Sequence, residues 1–417
     1  MNELSRTFEE GVEVKEGFKM TKIGFIPNDW EVFNLGDLGE LLNGLTYSPK
    51  DINENGTLVL RSSNVQNRQL EFEDNVYVDV EEGKYNPVKE NDILICVRNG
   101  SRSLIGKNAL INKESEGYAF GAFMAVYRSP LNKFLFQLFD TDIYNREVHR
   151  NLGATINSIN GKDFKRFLMP MPPEKERAKI AFILSDWDEA IENTQTLVEK
   201  LELRKKGLMQ QLLTGKTRLA GFTDKWRKVS IGEIATQFTD KNKKDENIEV
   251  LSCTKYDGLV RSLDYFGRKV FGDDLSKYKI VPRDYFAYAT NHIEEGSIGY
   301  QDLMERGLVS PMYTVFKTDN TINDSFMYRL LKTDRMIYNY QSNMSGSIAR
   351  RGGLRWNVFE TIDVSIPPLQ EQNAIAVFFD KIDEEIMQTE NYLMQLQEQK
   401  KGLMQQLLTG QIRVKLN

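Results

Sequence analysis

The stretch KKGLMQQLLTG stands at residues 205–215 and again at 400–410. A slide of 195 residues aligns PPEKERAKIAFILSDWDEAIENTQTLVEKLELRKKGLMQQLLTG (172–215) with PPLQEQNAIAVFFDKIDEEIMQTENYLMQLQEQKKGLMQQLLTG (367–410). No gap is needed over 44 positions, and 21 are identical. An internal repeat of this quality sets the plan of the chain before any finer reading. Both copies carry helix chemistry. Pro-Pro opens each, which suits a helix start and nothing later in a helix. The interiors are rich in Leu, Glu, Gln, Lys and Met, all good helix formers. Thr-Gly closes each copy, with Gly where a helix ends. The spacing predicts a helix over about 174–213, roughly 60 Å long at about 1.5 Å per residue.

The apolar positions step by four and three, as a coiled-coil seam requires. In the first copy they are Ile180, Leu184, Trp187, Ile191, Val198, Leu201, Leu208 and Leu212. In the second they are Ile375, Phe379, Ile382, Ile386, Leu393, Leu396, Leu403 and Leu407. Two polar residues interrupt each seam at matching places: Thr194 and Lys205, Thr389 and Lys400. Either they fix register at a cost in stability, or they mark where the seam opens to solvent or another chain. Neither seam can bury itself, so the two helices are expected to pair antiparallel.

The segments outside the helices repeat more weakly. NDWEVFNLGDL (28–38) matches DKWRKVSIGEI (224–234). The strand-like runs TLVLRSS, DILICVR and FGAFMAVYR follow the first; NIEVLSC, DYFAYAT and PMYTVFK follow the second. Each series then enters a helix-like stretch, at 134–151 and 326–343. This mixture predicts an α+β fold. The plan is a variable domain (1–173), a shared helix (174–215), a second variable domain (216–368), and a shared helix with tail (369–417). In the tail, Arg413 matches Arg218, which predicts that the tail packs beside the first domain's N-terminal segment and closes a pseudo-two-fold ring.

Composition excludes several function classes. No apolar run is long enough to span a membrane. The start is polar and acidic, unlike a secretory signal. Two cysteines, Cys96 and Cys253, lie in strand-like runs, which fits a reducing cytoplasm better than a disulfide framework. Two histidines, His149 and His292, cannot build a dense metal site. No metal is expected. QQLLTGKT (210–217) has Gln210 where a phosphate loop needs its first glycine, so it reads as a helix end. No catalytic constellation is present, and no enzyme activity is expected of this chain.

The net charge is −5, but it divides unevenly: −5 over residues 1–173 and +3 over 216–368. The loops LRSSNVQNR (60–68), VRNGSRSLIGK (97–107), ATNHIEEGSIG (289–299) and NMSGSIARRGGLRW (343–356) combine Arg, Asn, Ser and Gly. Such residues suit DNA, where Arg and Asn bind base edges and Ser holds phosphates. They are equally the composition of solvated loops. As DNA contacts the first domain offers Arg61, Ser63, Asn64, Arg68, Arg98, Asn99, Ser101, Arg102, Lys107 and Lys162. The second offers Lys255, Tyr256, Asn291, His292, Ser297, Tyr313, Ser345, Ser347, Arg350, Arg351 and Arg355.

Two differing domains, each followed by a near-identical helix running from Pro-Pro to Leu-Leu-Thr-Gly, resemble the DNA-specificity subunit of type I restriction–modification enzymes. The starts at Trp30 and Trp226, and the GSIG-like loops at Ser103–Gly106 and Ser297–Gly299, carry the resemblance further. It implies two target recognition domains, each reading one half of a bipartite, asymmetric double-stranded DNA sequence. The helices would set the spacing and dock two modification (methyltransferase) subunits. Restriction (motor-nuclease) subunits would join them. S-adenosylmethionine, ATP and magnesium would sit on those partners, with no cofactor on this chain. The competing expectation is a coiled-coil adaptor whose two domains bind proteins rather than DNA.

Overall fold

The computed structural model describes residues 16–81, 83–152, 157–243, 247–344 and 353–416. The chain forms two compact units, Met1–Thr194 with Tyr392–Asn417, and Gln195–Asn391. Each therefore holds one variable domain, half of one long helix and the complementary half of the other.

The two helices are Glu174–Leu212 and Leu369–Leu407, 39 residues each. The proline pair starts both: Arg177 N–H donates to the Pro173 carbonyl, and Glu371 and Gln372 N–H donate to Pro368. Both stop alike. Gly215 and Gly410 adopt left-handed backbone, at φ 70° and 71°, which favours glycine. The N–H groups of Gly215 and Gly410 reach back to the carbonyls of Leu212 and Leu407, one of the two bonds of a Schellman-type end, and those of Thr217 and Ile412 reach Gln211 and Gln406.

Within each unit the helix halves run antiparallel. In the first unit Lys400 pairs with Asp188, and Arg413, farther along, pairs with Glu176, farther back. In the second, Lys205 pairs with Asp383 and Arg218 with Glu371. Most seam positions are buried: Ile180, Leu184, Leu201, Leu212, Ile375, Phe379, Ile382, Ile386, Leu396 and Leu407. Trp187, Ile191, Val198, Leu208, Leu393 and Leu403 are half-buried. The seam's lysines each meet an acid of the opposing helix, the pairing that a register role requires. Its threonines do not: the Thr194 and Thr389 hydroxyls donate to carbonyls of their own helix, Ala190 and Glu385.

The variable domains share one topology. In the first, a four-stranded antiparallel sheet runs in the order Asn108–Leu110, Ile93–Cys96, Met124–Arg128, Glu40–Asn43. In the second, the matching order is Ile298–Tyr300, Phe286–Ala289, Tyr313–Thr318, Ala235–Phe238. A strand pair joins each domain to its helix, Glu31–Asn34 with Leu168–Met171, and Arg227–Ser230 with Asp363–Ile366. Gly36 and Gly232 fit tightly just after the first strand of each pair. An added Cβ would come within 3.0 Å of Lys165 and 3.2 Å of Glu360.

Two sequence expectations change. The single helical stretches are each two helices, Asn132–Leu138 with Asp142–Asn151, and Asp324–Leu331 with Asp334–Met344. At both breaks a threonine, Thr141 or Thr333, donates its hydroxyl to the carbonyl three residues back. Such local bonds compete with helical ones. The loop match also shifts. Cys96 pairs with Met124 and Ala289 with Tyr313, while Asn108 faces Ile95 and Ile298 faces Tyr288. Gly106 therefore corresponds to Gly296, not Gly299, and both are left-handed, at φ 87° and 91°.

Candidate nucleic-acid interface

In the first unit four chain segments converge beside the central sheet. Val97 and Arg98 both donate backbone N–H to the Phe123 carbonyl at 3.0 Å. Asn99 donates its amide to Ser62 Oγ at 3.1 Å, and its backbone N–H to Asn157. Asn157 in turn donates to the Gly100 carbonyl. This network fixes the loop while leaving Arg98, Ser101 and Arg102 exposed. The Arg98 guanidinium lies 5.8 Å from the Phe123 ring. Arg61, Ser63, Asn99 and Lys107 are half-buried at its edge, and burial lowers the pKa of the Lys107 ammonium. Lys162 is exposed on a separate one-turn helix whose N-terminus Asn160 caps.

The second unit repeats the arrangement with other side chains. Thr290 donates through its hydroxyl, at 2.8 Å, to the Met312 carbonyl. Leu354 N–H donates to the Thr290 carbonyl, which brings exposed Arg355 next to exposed Asn291 and His292. The hairpin Leu251–Thr254 with Gly258–Arg261 presents Lys255 and Tyr256 at its tip. The tip is held from below: Lys332 Nζ reaches the Tyr256 carbonyl at 3.1 Å, and Asp257 N–H donates to Thr254 Oγ1. Burial lowers the pKa of Lys332. Cys253 lies under the same tip, with its thiol pushed up to about 12 by burial.

Several predicted contacts point inward instead. Asn64 is fully buried and bonds Arg61 N–H and the Glu71 carbonyl. Arg68 stacks 3.9 Å from the Phe136 ring and donates to Asn108 and the Phe136 carbonyl. Ser297 is buried at the start of an edge strand, and the Tyr313 hydroxyl accepts from Cys253 N–H. These four hold the loops in shape. Composition cannot separate such residues from readers, because a buried loop must satisfy its polar groups with the same Asn, Ser and Arg side chains. Ser345, Ser347, Arg350 and Arg351 lie outside the described residues. His292, Glu294 and Glu295 bring three possible ligand atoms within 4.8 Å. They are neighbours on one turn, and among the described residues no other element adds a ligand to them.

Two exposed residues escaped the sequence reading. Phe123 is 56% exposed and Met312 55%. Both fall inside the strand-like runs FGAFMAVYR and PMYTVFK. The strands begin one residue later, at Met124 and Tyr313. The signal, an apolar side chain where a strand has not yet started, is invisible without the register.

Comparison with known proteins agrees with this picture. The family model described as "Type I restriction modification DNA specificity domain" matches residues 27–203 and 223–395. The putative type I restriction enzyme MjaX specificity subunit of Methanocaldococcus jannaschii is 26% identical over 439 residues, covering 96% of this chain and 98% of that protein. The EcoKI specificity subunit of Escherichia coli K12 is 28% identical over 217 residues, 49% of this chain and 46% of that one. The crystal structure of a type I S subunit from M. genitalium has the same fold, with a TM-score of 0.56 at 16% identity, covering 97% of this chain and 99% of that chain. The protein-binding adaptor is not favoured by any of these. With two matched domains and the helices between them, the chain belongs to the type I restriction-modification DNA specificity family, as a sequence-recognition subunit.

Proposed function

We propose that each recognition domain reads one half of a bipartite, non-palindromic duplex target, and that the long helices set the spacing and dock two modification subunits. The observation that carries this is one scaffold built twice with different loops. Arg98 and Asn99 occupy the register positions that Asn291 and His292 occupy in the second domain. Different side chains on the same backbone frame present different donors to a major groove, so the two halves of the target differ. The docking reading draws on apolar side chains exposed at matched helix positions, Phe182 with Val377 and Leu197 with Tyr392. Two identical partners need two equivalent surfaces, which a repeat supplies. Methyl transfer with S-adenosylmethionine belongs in this reading to the modification subunits, and ATP- and magnesium-dependent work to restriction subunits. This chain recognises and positions, and catalyses nothing. No helix is long and apolar enough to cross a membrane among the described residues, in keeping with a cytoplasmic complex.

Genome-wide methylation mapping of cells carrying the complete system tests the reading. Exchange of residues 1–173 for the matching domain of a relative must change one half of the methylated sequence and leave the other. A change in both halves removes the modular assignment.

A further inference from the structure

We propose that Phe123 and Met312 are paired apolar base contacts, one in each recognition domain, that touch base surfaces of the bound duplex rather than its phosphates. The inference rests on the DNA-recognition reading above and names side chains that complete it.

Exposure alone carries little, since single apolar side chains on surfaces are ordinary. Position carries more. Each residue immediately precedes the strand whose first residue pairs with Cys96 or Ala289. The two are thus equivalent, although the sequences around them differ and no identity links Phe to Met. Each backbone is also pinned. The Phe123 carbonyl accepts from two N–H groups, and the Met312 carbonyl from the Thr290 hydroxyl and, more loosely, its N–H. A residue held this way presents its side chain without paying for ordering on binding.

The surroundings point to the ligand. Phe123 sits among polar groups of the loop face, with Arg98 at its ring and exposed Arg102 on the same loop. Met312 sits on the Thr290 loop that carries exposed Asn291 and His292. Cations and amides around a projecting apolar group suit a surface whose rim is phosphate and whose interior is base. Phosphates offer an apolar side chain nothing. Bases offer a thymine methyl in the major groove or a ring face at an opened step. Phe provides a flat ring, and Met a flexible, polarisable chain that fits less regular contacts.

The test uses the full chain assembled with its modification subunits. Phe123→Ala, Phe123→Leu, Met312→Ala, Arg98→Ala and Arg355→Ala are titrated against the mapped target duplex and a scrambled duplex. Phe123→Ala is expected to weaken target binding roughly 5- to 100-fold, the range of a lost aromatic–base contact. Scrambled-duplex binding should stay within about twofold, Phe123→Leu should recover part of the loss, and changed base preference should be confined to the first half-site. Met312→Ala should act on the other half-site. A 2-aminopurine probe that brightens with the wild type but not Phe123→Ala identifies a ring face at an opened step. Loss of the difference on replacing thymine by uracil identifies the methyl. The proposal is overturned if both alanine variants bind the target like wild type while Arg98→Ala and Arg355→Ala bind it weakly. It is equally overturned if target and scrambled duplex lose affinity together. If the wild-type complex itself shows no sequence preference, the recognition reading fails instead.

Discussion

Arg413 grips Glu176 with two hydrogen bonds, at 2.6 and 2.7 Å, and adds two more to Asp29. The same carboxylate of Glu176 accepts from Trp30 Nε1 at 3.1 Å. In the second unit Arg218 grips Glu371, which accepts from Trp226 at 3.2 Å. Each unit thus seals its helix start, its domain start and the segment after the other helix around one buried glutamate. Glu176 is 2% exposed and Glu371 fully buried. A buried carboxylate stripped of its cation costs about 3–5 kcal/mol. Arg413→Ala should therefore destabilise the first unit by about that amount. Hydrogen-exchange mass spectrometry should show protection lost around Trp30 and the 404–408 helix end, with the Trp226 region unchanged. Arg218→Ala should give the reverse pattern.

The lysines of the repeated stretch act as register pins. Lys400 is buried at 6% exposure and reaches Asp188, which Gln137 also binds at 2.6 Å. Lys205 lies 2.7 Å from Asp383, which also takes Arg329. Lys400→Ala should cost about 1–3 kcal/mol, because Asp188 keeps some solvent and its glutamine. The charge swap Lys400→Asp with Asp188→Lys should recover part of that loss. A double-mutant cycle in denaturant midpoints measures the coupling, and additive losses would sink the register role.

Much of this fold was legible because helix chemistry is local. Pro-Pro, the four-three spacing and Thr-Gly all act within a few residues of themselves, so the helix bounds were readable to within a residue or so. The acids were harder. Glu176 with Glu371 and Asp188 with Asp383 are among the repeat's identities, yet they read as ordinary helix surface. Only antiparallel pairing shows that each faces a cation of the opposing segment. The interface was least legible. Arg68 and Arg98 have the same chemistry, and only packing decides that one stacks on Phe136 while the other meets solvent.

The helix-ending glycines should differ in tolerance despite identical sequence. Both are left-handed, so alanine costs about 1 kcal/mol at either from backbone strain alone. A Cβ on Gly215 would touch Trp226 at an ordinary 3.4 Å, but on Gly410 it would come within 2.2 Å of Pro27. Gly410→Ala should lower the melting temperature clearly more than Gly215→Ala, by calorimetry on the whole chain.

Acid should loosen the first unit's tail. Hydrogen bonding to Arg413, with its charge, holds the Asp29 carboxyl below the usual carboxylate range, and Glu176 and Asp29 hold Arg413 above its own. A depressed folded-state pKa contributes stability that is complete above the unfolded value, about 3.9, and is lost as pH falls through the folded one. Arg413 stays charged throughout, so the window is set by the Asp29 carboxylate. Wild type should thus lose stability faster than Asp29→Asn as pH falls below about 4, while above about pH 5 the substitution should cost a constant amount. Urea midpoints measured across that range decide it. Parallel curves would mean that Asp29 gains nothing from Arg413.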